Sequence, residues 1–378
     1  MTAEPRFMAR ALELRAAATH RTSPNPLVGC VVVREGRIVG EGVTQRTGHA
    51  HAEVMAILAA GEAARGADVY VTLEPCCHHG RTPPCTDALI AAGVARVFAG
   101  VVDPNPLVAG RGMKQLADAG VETAWGPLSS DCARAIAPFE RFILDRRSWV
   151  TLKVATSLDG RIATPSGESK WLTGPAARAD VHALRARADA VLVGAATVLA
   201  DDPSLTVREA PGNDPVRVVL DPLLRTPSTA KVLGPLAIVF CRAEAEVHRR
   251  DAIAESGARV ENVPGDGFGG LHLPSVLERL AALGHVLVVV EGGGRLHGAL
   301  LEARCADELC QYVAPVIIGE GRPAFALKTL TSLTSAVRLD DVEFTALAED
   351  VRIRGRIRYP SPQCSPDSSS AVGSFFVA

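Results

Sequence analysis

The chain has 378 residues, 47% of them hydrophobic and 22% charged, with a formal net charge of −2. That length suits about two domains, each able to bury a core, and the composition excludes a disordered or fibrous chain. The near-neutral charge counts against a protein built to sit on nucleic-acid phosphates. No run of about 18 apolar residues occurs, so no membrane span is expected. The stretch Met1 to Phe7 lacks the basic-then-apolar order of a secretion signal, and the nine cysteines are an odd number; both point to a reducing cytoplasm.

In chain order, Val28–Val33 and Arg37–Glu41 read as a β-hairpin turning at Arg34-Glu35-Gly36. A helix over 52–60, a buried strand over 68–72, a helix over 86–92 capped by Gly93 and a strand over 96–102 follow. The pattern repeats with a helix over 114–119 and a strand over 121–124, then a closing helix over 131–145. Strands alternating with helices of this size predict a three-layer α/β arrangement. Arg146-Arg147-Ser148 reads as a hinge, which divides the chain into domains 1–145 and 146–360. The second domain opens with a strand over 149–156, a helix over 175–188 with proline in its first turn and a strand over 190–193. Strands over 216–221 and 236–240, a helix over 274–283 and a strand over 285–290 lead into Gly292-Gly293-Gly294 and a further helix. The stretch 361–378, rich in Ser and Pro, reads as a disordered tail.

Two segments carry chemistry: His49-Ala-His-Ala-Glu53 and Glu74-Pro-Cys-Cys-His-His-Gly-Arg-Thr-Pro-Pro-Cys85. A hydrolytic zinc site needs three protein ligands and one open position for water, whose pKa the metal lowers. A carboxylate beside it must carry a proton from that water to the leaving amine. His51-Ala-Glu53 matches the His-x-Glu half of the zinc-deaminase signature. The cysteine half departs from it, because Cys76 and Cys85 are nine positions apart rather than three. The reading is that His51, Cys76 and Cys85 hold Zn2+, that Glu53 shuttles protons, and that Cys77–Pro84 is a looped-out insertion. A purely structural zinc knot competes for the Cys-Cys-His-His run, but Glu53 has no place in a closed four-ligand site. In the second half, a buried strand running into Glu291-Gly-Gly-Gly-Arg295 suits phosphate binding by backbone N–H groups at a helix start, although the dinucleotide fingerprint is absent. Thr197–Arg208 reads as a functional loop.

Pro24-Asn-Pro-Leu-Val-Gly29, His51-Ala-Glu53 and the long loop from Pro75 to Cys85 together resemble the bifunctional deaminase–reductase family of riboflavin biosynthesis. The likeness runs from about Met8 to Arg358. The family has Ser where this sequence has Cys77, so the ligand assignment stays with Cys76 and Cys85. The resemblance implies an α/β chain, with a cytidine-deaminase-like three-layer α/β/α domain followed by a dihydrofolate-reductase-like domain that uses NADPH. It implies a phosphoribosylated diaminopyrimidinone as substrate, with Asn25, His79 and Arg81 near it. Ala155, Trp171, Thr197, Asp201, Gly293, Gly294 and Arg295 would line the cofactor site. Ser169, Arg185, Leu205, Arg208 and Glu291 would hold the second substrate, with Lys153 near its ribosyl group, the arginines suiting a phosphate. A homo-oligomer is expected by the same analogy. Two other readings compete: a nucleic-acid or tRNA deaminase with an appended recognition domain, and a binding module in which zinc is structural.

Overall fold

The computed structural model describes residues 3–328, 330 and 332–360, so the expected tail lies outside the described residues. The first half comprises α1 (Pro5–Ala17), β1 (Gly29–Arg34), β2 (Arg37–Val43), α2 (Ala52–Ala60), β3 (Asp68–Val71), α3 (Cys85–Ala92), β4 (Arg96–Ala99), α4 (Arg111–Asp118), β5 (Glu122–Trp125) and α5 (Ser129–Asp145). Its five strands lie in the order β2-β1-β3-β4-β5. β1 runs antiparallel to β2 and β3, whereas β3, β4 and β5 are parallel.

Alternation along the strands sorts the core into two layers. Val31, Val33, Tyr70 and Phe98 pack under Phe7, Met8 and Ala11 of α1 and Cys132 of α5. Cys30, Val32, Val69, Val71, Val97 and Ala99 face the opposite side, under Ala52, Ala56, Leu89 and Leu116 of α2, α3 and α4. The α2 axis lies directly on β2 because Gly42 has no side chain: a Cβ there would sit 2.2 Å from the carbonyl oxygen of Ala52. That close approach fixes the start of α2, where His51 and Glu53 lie. The crossover from β3 through α3 to parallel β4 likewise sets the N-terminus of α3, with Cys85, beyond the end of β3.

The second half comprises β6 (Trp149–Thr156), β7 (Arg161–Ala163), α6 (Pro175–Arg187), β8 (Ala190–Gly194), α7 (Ala195–Asp201), β9 (Val216–Leu220), β10 (Ala237–Cys241), α8 (Val247–Glu255), β11 (Arg259–Asn262), α9 (Leu273–Ala282), β12 (Leu287–Val290), α10 (Gly294–Glu302), β13 (Glu308–Val313), β14 (Arg322–Pro323), β15 (Arg338–Leu347) and β16 (Asp350–Arg358). Nine strands form one sheet in the order β11-β10-β9-β8-β12-β6-β13-β16-β15, and β14 pairs with β7 separately. The run from β11 to β13 is parallel, and the hairpin β15–β16 closes one edge antiparallel. Ala190–Gly194, Ala237–Cys241 and Leu287–Val290 are near-continuous apolar stretches because both faces of a parallel sheet are covered. Helices α9 and α10 cover one face, with Leu277, Leu280 and Leu300 on Leu152, Leu192 and Val290. The other face carries α6, α7 and α8.

Two expectations change here. Thr197–Arg208 is a loop only from Asp202 onward, because buried Ala195 and Val198 hold a short helix against the sheet. The expected hinge is pinned: Arg147 makes a forked pair with Asp307 at 2.7 and 2.8 Å, and the buried Ser148 hydroxyl donates to the carbonyl of His285 at 2.7 Å.

Candidate active sites

His51 caps α2, Cys85 is the first residue of α3, and Cys76 lies in the loop after β3. His51 Nδ1 is 3.2 Å from Cys85 Sγ and 3.6 Å from Cys76 Sγ, and the three donor atoms lie within 4.8 Å of one another. Metal–ligand bonds of about 2.0–2.3 Å at tetrahedral angles place donors roughly 3.5–3.8 Å apart, so the trio fits one zinc ion. The Cys85 backbone N–H donates to Cys76 Sγ at 3.3 Å, and Thr86 N–H and Oγ1–H both reach the Cys76 carbonyl. Thr82 Oγ1 lies 3.4 Å from His51 Nε2, on the ring edge away from the thiols. Hydrogen bonding with Cys85, joined by His51, draws the Cys76 thiol down to about 4 against its burial.

Glu53 is 4% exposed on the first turn of α2. Burial, and then the neighbouring Cys76, push its carboxyl up to about 7; a dication held by the trio would draw it back down. Glu53, His51 and Cys76 line a cavity of about 310 Å³. Pro24, Asn25 and Pro26 form one wall, Phe139, Phe142 and Ile143 of α5 an apolar one, and His78, Arg81, Thr82, Asp103 and Asn105 the polar remainder. His79, expected beside the substrate, is exposed and outside this lining; its neighbour His78 faces in. The motif alone does not say which imidazole turns inward. Cys77 stands outside the donor trio, with Sγ 3.8 Å from the Leu107 carbonyl.

Sequence reasoning missed Glu74 and Asp103. Glu74 is 2% exposed, and its carboxylate accepts from four backbone N–H groups: Asp103 at 3.1 Å, Gly110 at 2.9 Å, Gly112 at 2.9 Å and Met113 at 3.2 Å. It therefore caps α4 and folds the loop that carries Asp103 and Asn105 onto the cavity. Burial pushes Asp103 up to about 6. The visible signal was the Glu-Pro pair directly before the first cysteine ligand.

In the second half, Lys153 of β6, Arg185 of α6 and Glu291 beyond β12 converge. Arg185 forks onto Glu291 at 2.5 and 2.9 Å, and Lys153 Nζ lies 3.6 Å away. Burial alone would raise Glu291, but Arg185 and Lys153 outweigh it and hold the carboxyl near about 2. Arg185 also donates to the Thr206 carbonyl, while Arg208 donates its N–H to His182 and its guanidinium to Ser204 and Thr206. The loop 204–208 is thus folded onto α6. Leu205 does not offer its side chain to a ligand: it is buried among Val191, Val193 and Val219, with φ 54°. Gly293 is open around its α-carbon, whereas a Cβ on Gly294 would meet the Pro323 carbonyl oxygen at 2.2 Å, so packing alone requires that glycine. Ala155 is half-buried on β6 and Thr197 half-buried in α7; Asp201, Ser169 and Arg295 are exposed. Trp171 is exposed, with the Arg178 guanidinium 4.8 Å from its ring centre.

A five-stranded α/β/α unit with a His-Cys-Cys metal trio beside a buried carboxylate has the site of a zinc deaminase, and it is joined to a larger, mainly parallel-sheet unit with its own buried Arg185–Glu291–Lys153 cluster. Residues 1–101 match the cytidine and deoxycytidylate deaminase zinc-binding region, and residues 148–353 match the RibD C-terminal domain. The chain is 43% identical to the riboflavin biosynthesis protein RibD of Bacillus amyloliquefaciens, over 93% of this chain and 95% of that one. It is also 43% identical to RibD of Escherichia coli, over 91% and 97%. Acinetobacter baumannii RibD superposes with a TM-score of 0.82 at 38% identity, covering 93% of this chain and 98% of that one. A Thermotoga maritima structure described as a diaminohydroxyphosphoribosylaminopyrimidine deaminase and 5-amino-6-(5-phosphoribosylamino)uracil reductase gives 0.80 at 36%, covering 94% and 98%. The chain belongs to the RibD family, the bifunctional deaminase–reductases of riboflavin biosynthesis, whose cofactors are zinc and NADPH. The match of the second half to a RibD domain disfavours the appended recognition domain of the tRNA-deaminase reading.

Proposed function

We propose that residues 1–145 deaminate 2,5-diamino-6-(5-phosphoribosylamino)pyrimidin-4-one, and that residues 146–360 reduce the ribosyl group of the resulting 5-amino-6-(5-phosphoribosylamino)uracil. The observation that carries the first step is the His51–Cys76–Cys85 trio sharing one cavity with buried Glu53. Zinc, when bound by that trio, supplies a Lewis acid that makes a water ionisable near neutral pH. Glu53, the buried carboxylate beside the trio, would take a proton from a water in the cavity and deliver it to the departing amine. The apolar wall of α5 stacks the ring and excludes bulk water, while Asn25, Arg81 and the inward-facing His78 hold the polar edges and the phosphoribosyl arm. The exposed His79 has a weaker claim.

In the second unit NADPH supplies the hydride. Ala155, Trp171, Thr197, Asp201, Gly293 and Arg295 are its proposed contacts, with Gly294 acting through packing. Arg185, Arg208 and Lys153 present positive charge to the substrate phosphate and ribosyl oxygens, Glu291 orients the first and third of these, and Ser169 and the Leu205 backbone complete the set. The proposed setting is cytoplasmic, supported by an odd number of cysteines, which suits a reducing compartment; among the described residues no helix is long and apolar enough to cross a membrane. Self-association is supported by the edge hairpin β15–β16, which exposes Val342, Phe344 and Val351.

Glu53→Gln tests the assignment. It should retain zinc, lower deamination by about 10²–10⁴-fold and leave reduction of the deaminated intermediate intact. A variant that deaminates at the wild-type rate would remove Glu53 from the mechanism.

A further inference from the structure

The cavity wall formed by Pro24 and Asn25 belongs to no helix or strand; the chain between α1 and β1 is irregular there. Such a segment keeps one conformation only when side-chain bonds remove its freedom. On the deaminase side, Thr47 Oγ1 donates to the carbonyls of Thr22 and Ser23 at 2.8 and 2.7 Å, and the Asn25 N–H closes a turn onto Thr22 at 2.9 Å. The opposite side is held by the other half of the molecule. Ser23 Oγ–H donates to Asp189 Oδ2 at 2.7 Å, across 166 positions of sequence. Asp189, 6% exposed, lies between α6 and β8, and the same oxygen accepts from Val286 and Leu287 at 2.9 and 2.8 Å, at the start of β12. Three further bonds flank this link: Arg21 donates to the carbonyls of Ala186 and Asn213, and Arg187 donates to that of Ala16 at 3.1 Å.

We propose that Asp189, a residue of the reductase half, is a positioning residue for the deaminase cavity, acting through the Ser23 hydroxyl to hold the Pro24–Asn25 wall. The proposal rests on the deaminase reading of that cavity. Its physical logic is preorganisation: a wall already fixed need not be ordered when substrate binds, so the link acts on KM rather than on proton transfer at Glu53. Removing the Ser23 hydroxyl leaves Asp189 with its two backbone N–H donors, so the stability of the second sheet is little affected. α6 also carries Arg185 and His182 of the second site, so one helix with its following loop serves both centres.

The test is steady-state kinetics of full-length wild type, Ser23→Ala, Ser23→Thr, Asp189→Asn and the Ser23→Ala/Asp189→Asn double variant, each loaded with zinc. Both reactions are measured separately, the reduction with deaminated intermediate and NADPH. Ser23→Ala should raise the deaminase KM about fivefold, the effect of one lost hydrogen bond, with kcat and the reductase unchanged. Ser23→Thr, which keeps the hydroxyl, should restore KM. The double variant should be no worse than Ser23→Ala, because Asp189 reaches the wall only through the Ser23 hydroxyl. A deaminase KM unchanged by Ser23→Ala, or effects of the two single changes that simply add, would overturn the proposal while leaving the deaminase reading standing. A wild type that does not deaminate at all would overturn that reading and the proposal with it.

Discussion

Glu74→Gln perturbs the deaminase centre without touching a ligand, and the structure gives its cost. Each carboxylate oxygen accepts two backbone N–H groups: Oε2 takes Asp103 and Gly110, Oε1 takes Gly112 and Met113. An amide can keep only one of these acceptors, and its NH2 group would face the other two N–H donors. Two buried donors left unsatisfied cost about 1–3 kcal/mol each, and the start of α4 loses a favourable charge worth about 0.3–1 kcal/mol. Partial relaxation leaves an expected loss near 3 kcal/mol. For a unit of this size, that lowers Tm by roughly 6–12 °C. The residue directly before Cys76 is Pro75, whose carbonyl would lie 2.1 Å from any Cβ at Gly112, so the loosened loop cannot move without disturbing the ligand loop. Differential scanning calorimetry of the zinc-loaded chain, with deaminase KM measured in parallel, checks both consequences. A Tm within 2 °C of wild type and an unchanged KM would refute the view that Glu74 builds this wall.

Cys85→Ser should lose zinc in a metal-content assay, whereas Cys77→Ser should retain it, since Cys77 lies outside the donor trio; the reverse pattern would move the ligand. Gly42→Ala should cost about 1–3 kcal/mol through overpacking and weaken zinc binding, because α2 must lift from β2 by the clash at Ala52; urea unfolding with zinc titration reads both. Glu291 has its folded pKa held below the usual carboxylate value, so its pairing with Arg185 and Lys153 contributes stability above about pH 4.5 that is lost as pH falls toward about 2. Relative to Glu291→Gln, wild type should therefore be more stable near neutrality, by on the order of 3 kcal/mol, with the gap closing on acidification; a gap that widens in acid would contradict the sign.

His51 and Cys85 were legible because each sits at the start of a strongly patterned helix, Cys76 because it follows the proline of the Glu-Pro-Cys segment, and the acid needs of the reaction pick out Glu53 beside His51. The sequence motif could not orient the Cys77–Pro84 loop, so the inward imidazole fell to His78 rather than His79. Leu205 and Gly294, ligand contacts by the family resemblance, also have packing roles that the motif does not show, one in the core and one against Pro323. Glu74 required knowing that the start of α4 returns to the first cysteine. Ser23 and Asp189 illustrate the limit most sharply: neither belongs to a motif, and only the docking of two sheets brings them together. The sequence reading also passed over α1 and the hairpin β15–β16, whose turn between Leu347 and Asp350 carries no glycine or proline to mark it.

The central claim is two successive reactions on one chain. Incubating the zinc-loaded protein with the diaminopyrimidinone phosphate, without and then with NADPH, and reading products by mass spectrometry tests it most directly. The deaminated intermediate should accumulate without NADPH and be converted to the ribityl product when NADPH is added. No deamination without NADPH, or no reduction with it, would contradict the account.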